Sequence, residues 1–228
     1  MTEKQSPLPH ANAPVLHTGA PLEDPELVVI MLHGRGASAE NILGLSRDIA
    51  PIDGGNDGRH DRISWLAPQA DGNQWYPYPF RQPLEQNEPW LSGALATIDR
   101  IIDRVHASRP ELPVVLAGFS QGACLSLEYL ARGSRSIAGV AAFSGGLIGP
   151  SFKDRLPIKD LTGSWVFIGC GDQDHHIPID VAETSGKLIA ATGADVDFRR
   201  YPEMPHTIVA DETNAVRVQI ATTLGTHR

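Results

Sequence analysis

Short, nearly continuous apolar runs alternate along this chain with stretches whose apolar residues recur every three to four positions. The runs at 26–32, 63–67, 114–117, 137–143, 164–169 and 196–201 have strand length. Unbroken apolar character over so few residues is what a strand buried on both faces requires. Between them lie helical patterns. The first follows Ser38, a suitable N-cap, through Ile42, Leu45 and Ile49. The next carries Leu91, Leu95, Ile98, Ile102 and Val105, and a third carries Ala123, Leu127, Leu130 and Ala131. Residues 179–191 and 209–224 read as two more helices, and the strand at 196–201 differs from the rest in alternating apolar with polar residues. Strands taking turns with helices predict an α/β fold, a mostly parallel sheet with helices on both faces.

Residues 1–25 hold five prolines and little periodicity, so an irregular N-terminal segment is expected, with Val15 and Leu16 as a short edge strand. Gly54-Gly55-Asn56-Asp57-Gly58 marks a loop. No repeat or linker divides the 228 residues, which fit one domain, residues 1–228. The stretch from Trp75 to Trp90 stands apart: Trp75, Tyr76, Tyr78, Phe80 and Trp90 interleave with prolines in an otherwise loop-like segment. Such a cluster reads either as a satellite core or as a pocket wall, with Trp75, Tyr76 and Tyr78 as the candidate wall.

Composition narrows the partners. A net charge of −8 argues against nucleic acid or an anionic membrane surface, either of which needs a basic face. No apolar run reaches the length of a membrane span, and the polar, proline-containing first ten residues are unlike a secretory leader. A cytoplasmic protein without integral membrane insertion is the expectation. Cys124 and Cys170 form neither a disulfide framework nor a spaced metal motif. His175 and His176 are adjacent on one loop and rarely would ligate the same ion, so no metal is expected.

The chemistry-bearing stretch is Val114-Val115-Leu116-Ala117-Gly118-Phe119-Ser120-Gln121-Gly122-Ala123. Strand, Gly-x-Ser-x-Gly and helix in immediate succession form a nucleophile elbow, a sharp turn that exposes the serine and leaves no room for side chains on the flanking glycines. A serine hydroxyl needs a base, and the base needs a carboxylate to fix its tautomer. Both appear after later strands: Asp172 or Asp174 after the run ending at Gly169, then His206 after the last strand. The order serine, acid, histidine is that of α/β-hydrolases. His33 precedes the nucleophile and suits a structural role on its loop, while Cys124 lies inside the helix rather than at the elbow.

These pieces resemble the phospholipase/carboxylesterase family of serine hydrolases, the group that includes the acyl-protein thioesterases. The resemblance rests on Leu32-His33-Gly34-Arg35-Gly36, the elbow, Phe143-Ser144-Gly145-Gly146, Gly171-Asp172-Gln173-Asp174-His175-His176-Ile177-Pro178 and Met204-Pro205-His206. It implies an α/β-hydrolase fold, Ser120 as nucleophile, Asp174 as acid, His206 as base, and an oxyanion hole from the backbone N–H groups of Arg35 and Gln121. The chain departs at Gln74-Trp75-Tyr76-Pro77, where acyl-protein thioesterases typically show Trp-Phe-Asp, and so points to the broader bacterial carboxylesterase branch. The short segment from Gly145 to Gly163 leaves no room for a large cap domain.

The expected function is hydrolysis of carboxylic esters, with thioesters and lysophospholipids as further substrates, through an acyl-enzyme and with no cofactor. The partner is a small-molecule ester or thioester, and a homodimer is left open. Two alternatives use the same fold: a non-catalytic protein that binds a small ligand, and an acyltransferase with the same triad.

Overall fold

The computed structural model describes residues 7–51, 62–151 and 159–226. The expected loop at Gly54–Gly58 and the middle of the 145–163 segment lie outside them. The elements follow the sequence pattern in order: β1 (Val15–Gly19), β2 (Leu27–Leu32), α1 (Ala39–Gly44), α2 (Ser46–Ile49), β3 (Ile63–Pro68), α3 (Trp90–Ser108), β4 (Val114–Phe119), α4 (Gln121–Arg132), β5 (Gly139–Phe143), β6 (Trp165–Gly171), α5 (Ile179–Ala190), β7 (Asp195–Tyr201) and α6 (Ala210–Thr226). The strands make one seven-stranded sheet in the order β1-β3-β2-β4-β5-β6-β7. Only β1 runs antiparallel to its neighbour, as an edge strand on β3.

Alternation along each buried strand feeds two cores. Val28, Ile30 and Leu32 of β2 join Val114, Leu116, Val140 and Ile168 on the face covered by α3, α4 and α5. Leu27, Val29 and Met31 join Val115, Ala141 and Phe167 on the face covered by α1, α2 and α6. The pattern after Ser38 is split rather than continuous. Ser38 caps α1 in a reciprocal capping box with Asn41, and the helix breaks at Leu45, whose N–H bonds back to Ile42 and Leu43. The new turn buries Ser46 and Ile49.

Parallel registry decides where the chemistry goes. Leu32 lies beside Gly118, Phe119 beside Phe143, and Gly171 beside Tyr201, so the carboxyl ends of β2, β4, β5, β6 and β7 share one edge. Every loop carrying a candidate residue leaves from that edge, as crevice sites of open α/β sheets do. No large cap stands over it among the described residues.

Candidate active site

Ser120 occupies the turn between β4 and α4 with φ 56° and ψ −116°, a conformation that L-residues rarely adopt. Steric detail explains its glycines. A Cβ on Gly118 would run into the backbone of Gly122, and a Cβ on Gly122 into the carbonyl oxygen of Leu32. The strained turn is held from below by the Ser120 N–H, which donates to the Phe143 carbonyl at 3.0 Å, and by the Cys124 N–H, which donates to the Ser120 carbonyl at 2.9 Å.

Asp174 and His206, the expected acid and base, meet across 32 residues. His206 Nδ1 donates to Asp174 Oδ2 at 2.6 Å. Asp174 Oδ1 accepts the N–H groups of His176 and Ile177 at 2.8 and 2.9 Å, so the carboxylate is fixed on both oxygens. Burial works to raise the Asp174 pKa, but the His206 bond and the two N–H groups together outweigh it and hold the carboxyl below its ordinary range. Asp172 is turned elsewhere. Its oxygens accept from the Glu203 N–H at 2.7 Å and the Arg200 guanidinium at 3.1 Å. Of the two aspartates that spacing alone left equivalent, Asp174 is the one beside His206.

Phe119 and His176 flank the His206 ring at centroid distances of 4.7 and 4.8 Å. Ser120 and His206 line one cavity of about 630 Å³ together with Gly34, Arg35 and Gln121. Among the described residues no hydrogen bond joins the Ser120 hydroxyl to His206. Such contacts are commonly long in the free state of a hydrolase and tighten with substrate.

Arg35 and Gln121 line the same cavity as Ser120, one on the loop after β2 and one at the first turn of α4. Neither backbone N–H is engaged among the described residues, and the one on Gln121 also carries the positive end of the helix dipole. Their side chains both reach the aromatic loop. Gln121 accepts the Trp75 N–H on Oε1 and donates from Nε2 to the Tyr76 carbonyl, both at 2.9 Å. Arg35 donates to Gln74 Oε1 at 2.7 Å and to the carbonyls of Pro77 and Tyr78 at 2.9 and 3.0 Å, so its guanidinium is spent on the loop.

The expected aromatic wall requires correction at two of its three positions. Tyr76 lines the cavity, but Trp75 and Tyr78 do not. Trp75 is fully buried behind the site because its indole N–H needs a partner once desolvated, and it finds the His33 carbonyl at 2.9 Å. Tyr78 points outward and is 52 % exposed. The apolar wall is completed by Phe80 of the same aromatic cluster and by Pro77, Pro79, Phe119 and Ile177, to which no pocket role was assigned.

Two histidines serve as struts. His33 Nδ1 donates to the Gly34 carbonyl at 2.7 Å while Nε2 accepts the Ala70 N–H at 3.1 Å, which fixes a neutral tautomer, and burial lowers its pKa. His10, in the N-terminal segment to which no chemistry was assigned, is buried between Trp75 and Trp90. It accepts the Asp71 N–H on Nδ1 and donates to the Trp75 carbonyl from Nε2 at 3.1 Å. Cys124 also lines the cavity, but burial pushes its thiol up to about 12, which leaves it protonated and unreactive.

The sequence profile of the phospholipase/carboxylesterase family matches residues 15–224. The chain belongs to that family. A crystal structure of a phospholipase/carboxylesterase from Dyadobacter fermentans, 36 % identical, superposes with a TM-score of 0.80 over 92 % of this chain and 96 % of that one. The Bacillus cereus carboxylesterase is 17 % identical with a TM-score of 0.70, covering 93 % of this chain and 95 % of that one, and shares the α/β-hydrolase fold. Among curated relatives, an acyl-protein thioesterase 1 of Gibberella zeae is 30 % identical over 45 % of each chain. A probable carboxylesterase SOBER1-like of Arabidopsis thaliana is 26 % identical over 65 % of this chain and 62 % of its own. The matched part thus spans less than two thirds of either curated relative. The family assignment thus rests on the profile match over residues 15–224 and on the Dyadobacter fermentans structure.

Proposed function

We propose that this phospholipase/carboxylesterase family member, acting as the single domain of residues 1–228, hydrolyses small carboxylic esters and thioesters through an acyl-enzyme on Ser120. The observation that carries the reading is the 2.6 Å bond from His206 to the buried Asp174 in the cavity that also exposes Ser120. With Nδ1 committed to Asp174, the Nε2 lone pair is the base. It takes the Ser120 proton as Oγ attacks the acyl carbon, and returns it to the departing alcohol or thiol. The oxyanion formed on the acyl oxygen is met by the backbone N–H groups of Arg35 and Gln121. Water, deprotonated by the same imidazole, then releases the acid.

The walls of Tyr76, Phe80, Phe119 and Ile177, together with a guanidinium already engaged by the loop, favour an uncharged acyl group. Rates over a series of p-nitrophenyl esters and matched thioesters test the reading. A fluorophosphonate should label Ser120 stoichiometrically, and Ser120→Ala should abolish turnover. An adduct mapped to Cys124 or another serine overturns the assignment.

A further inference from the structure

We infer that the groove between α3 and the β1–β3 edge of the sheet, remote from Ser120, is a binding site for a medium-chain aliphatic carboxylate. It lies where Ile101 and Val105 of α3 stand over Val28, Leu66 and Val15 of the sheet. The resulting cavity is about 830 Å³, larger than the one beside Ser120 and within the range of about 300–1,000 Å³ usual for small-molecule sites.

Its floor and walls are mainly aliphatic, with Val15 of β1, Val28 of β2, Leu66 of β3, Leu22 of the turn after β1, and Ile101 and Val105 of α3, while Asn12 of the N-terminal segment adds a neutral polar group. Charge is confined to its ends. Arg100 and Arg104 stand one helical turn apart on α3 and both line the cavity. Arg100 uses Nη2 on the His10 carbonyl at 3.1 Å, which positions the group and leaves its other N–H donors available. Arg104 is exposed and, among the described residues, has neither an ion-pair nor a hydrogen-bond partner. In a chain of net charge −8, two adjacent guanidinium groups over an aliphatic trough are a local inversion of sign.

The other end is marked by Ser108 and Glu23, the latter held near the end of α3 where Arg109 donates to its carbonyl. At a helical rise of ~1.5 Å per residue, Arg100 and Ser108 are about 12 Å apart along α3. A carboxylate placed on the arginine pair gains charge-assisted, forked hydrogen bonds, and its alkyl chain covers the aliphatic floor. The Glu23 carboxylate disfavours the reverse orientation and any ligand anionic at both ends. His17, the remaining titratable group in the groove, is tied to the Ala20 carbonyl at 2.8 Å. The inference stands on this groove alone and does not depend on the chemistry at Ser120.

Titration calorimetry with decanoate tests it. Saturable binding is expected, weakened about tenfold or more in Arg104→Glu and by much less in Arg104→Lys, because a charged hydrogen bond is worth that factor. Decanol should bind far more weakly than decanoate, and acetate not measurably. Arg104→Glu should leave the melting temperature and turnover of an acetate ester unchanged, since the side chain is exposed and distant. Leu22→Asp, at the groove lip, provides a second lesion and should also weaken decanoate. Absence of saturable binding, affinity unchanged in both variants, or equal binding of decanol and decanoate would each overturn the site.

Discussion

The side chain of Gln121 accepts the backbone N–H of Trp75 at 2.9 Å, so the residue that presents its own N–H beside Ser120 also anchors the aromatic loop. A second bond from the same carboxamide to the Tyr76 carbonyl makes the contact two-pronged. Gln121 is 5 % exposed, so no water stands ready to replace the amide if it is removed. Gln121→Ala keeps the backbone N–H but orphans a buried donor and a buried acceptor. A loss of about 1–3 kcal/mol in stability is expected for each unsatisfied group. Ester turnover should fall as well, because the wall formed by Tyr76 to Phe80 loses its tie. Full stability in a denaturant titration of the variant would show that the two bonds carry no weight.

The two aspartates after β6 should separate cleanly. Asp174→Asn leaves the imidazole of His206 without its acceptor and in the wrong tautomer. A drop in kcat of up to about 10⁴-fold with the fold retained is expected by analogy with serine proteases. Asp172→Asn removes a charge facing Arg200 and weakens an acceptor for the Glu203 N–H. It should cost roughly 0.5–2 kcal/mol of stability and little activity. An inactive but fully stable Asp172→Asn would reverse the assignment.

Trp75 and Phe80 should behave differently although both are aromatic and lie five residues apart. Trp75→Ala opens a cavity behind the loop after β2 and strips a donor from the His33 carbonyl, so about 3–5 kcal/mol of stability should be lost. Activity should fall equally for short and long acyl esters. Phe80→Ala acts on the cavity wall itself and should raise KM more for bulky than for acetate esters. Matched kinetics over an ester series, with thermal melts of both variants, distinguish the two roles.

Acid should destabilise the protein through its buried histidines. Burial lowers the pKa of His10 and of His33, against smaller raising effects of their hydrogen bonds and, for His10, of Asp71. The unfolded chain therefore binds protons at a pH where the folded chain does not. Stability contributed by the neutral rings is complete above the unfolded histidine value near pH 6.5, roughly, and falls as pH drops below it. Denaturant midpoints should decline from about pH 8 to about pH 5, with a shallower slope in His10→Gln. A midpoint that rises on acidification over that window contradicts the neutral, buried assignment.

Turnover should carry its own pH dependence. In the proposed mechanism His206 takes the Ser120 proton as the neutral ring, so kcat/KM should be lower in acid than near neutrality. The dependence should vanish from the residual rate of His206→Ala. A flat profile in the unmodified protein, with chemistry rate-limiting, would argue against a histidine base.

Periodicity by itself determined the order of strands and helices, because burial on two sheet faces demands unbroken apolar runs and the covering helices demand a 3.6-residue repeat. The elbow was equally legible: Gly118 and Gly122 are required by contacts within the turn and its neighbouring strand, so a local motif records them. What the chain could not reveal was set by contacts between distant segments. Spacing made Asp172 and Asp174 equivalent, and only the packing of the loop after β7 against the loop after β6 turned one toward His206 and the other toward Arg200. Composition flagged the aromatic loop without orienting it. Trp75 turned inward because a partner for its N–H lay on the loop after β2, while Tyr78 was left in solvent. The N-terminal segment offered only a short edge strand, yet His10 became a buried strut of that same loop, since a single polar residue satisfied by backbone groups 61 and 65 positions away leaves no periodic trace in a sequence.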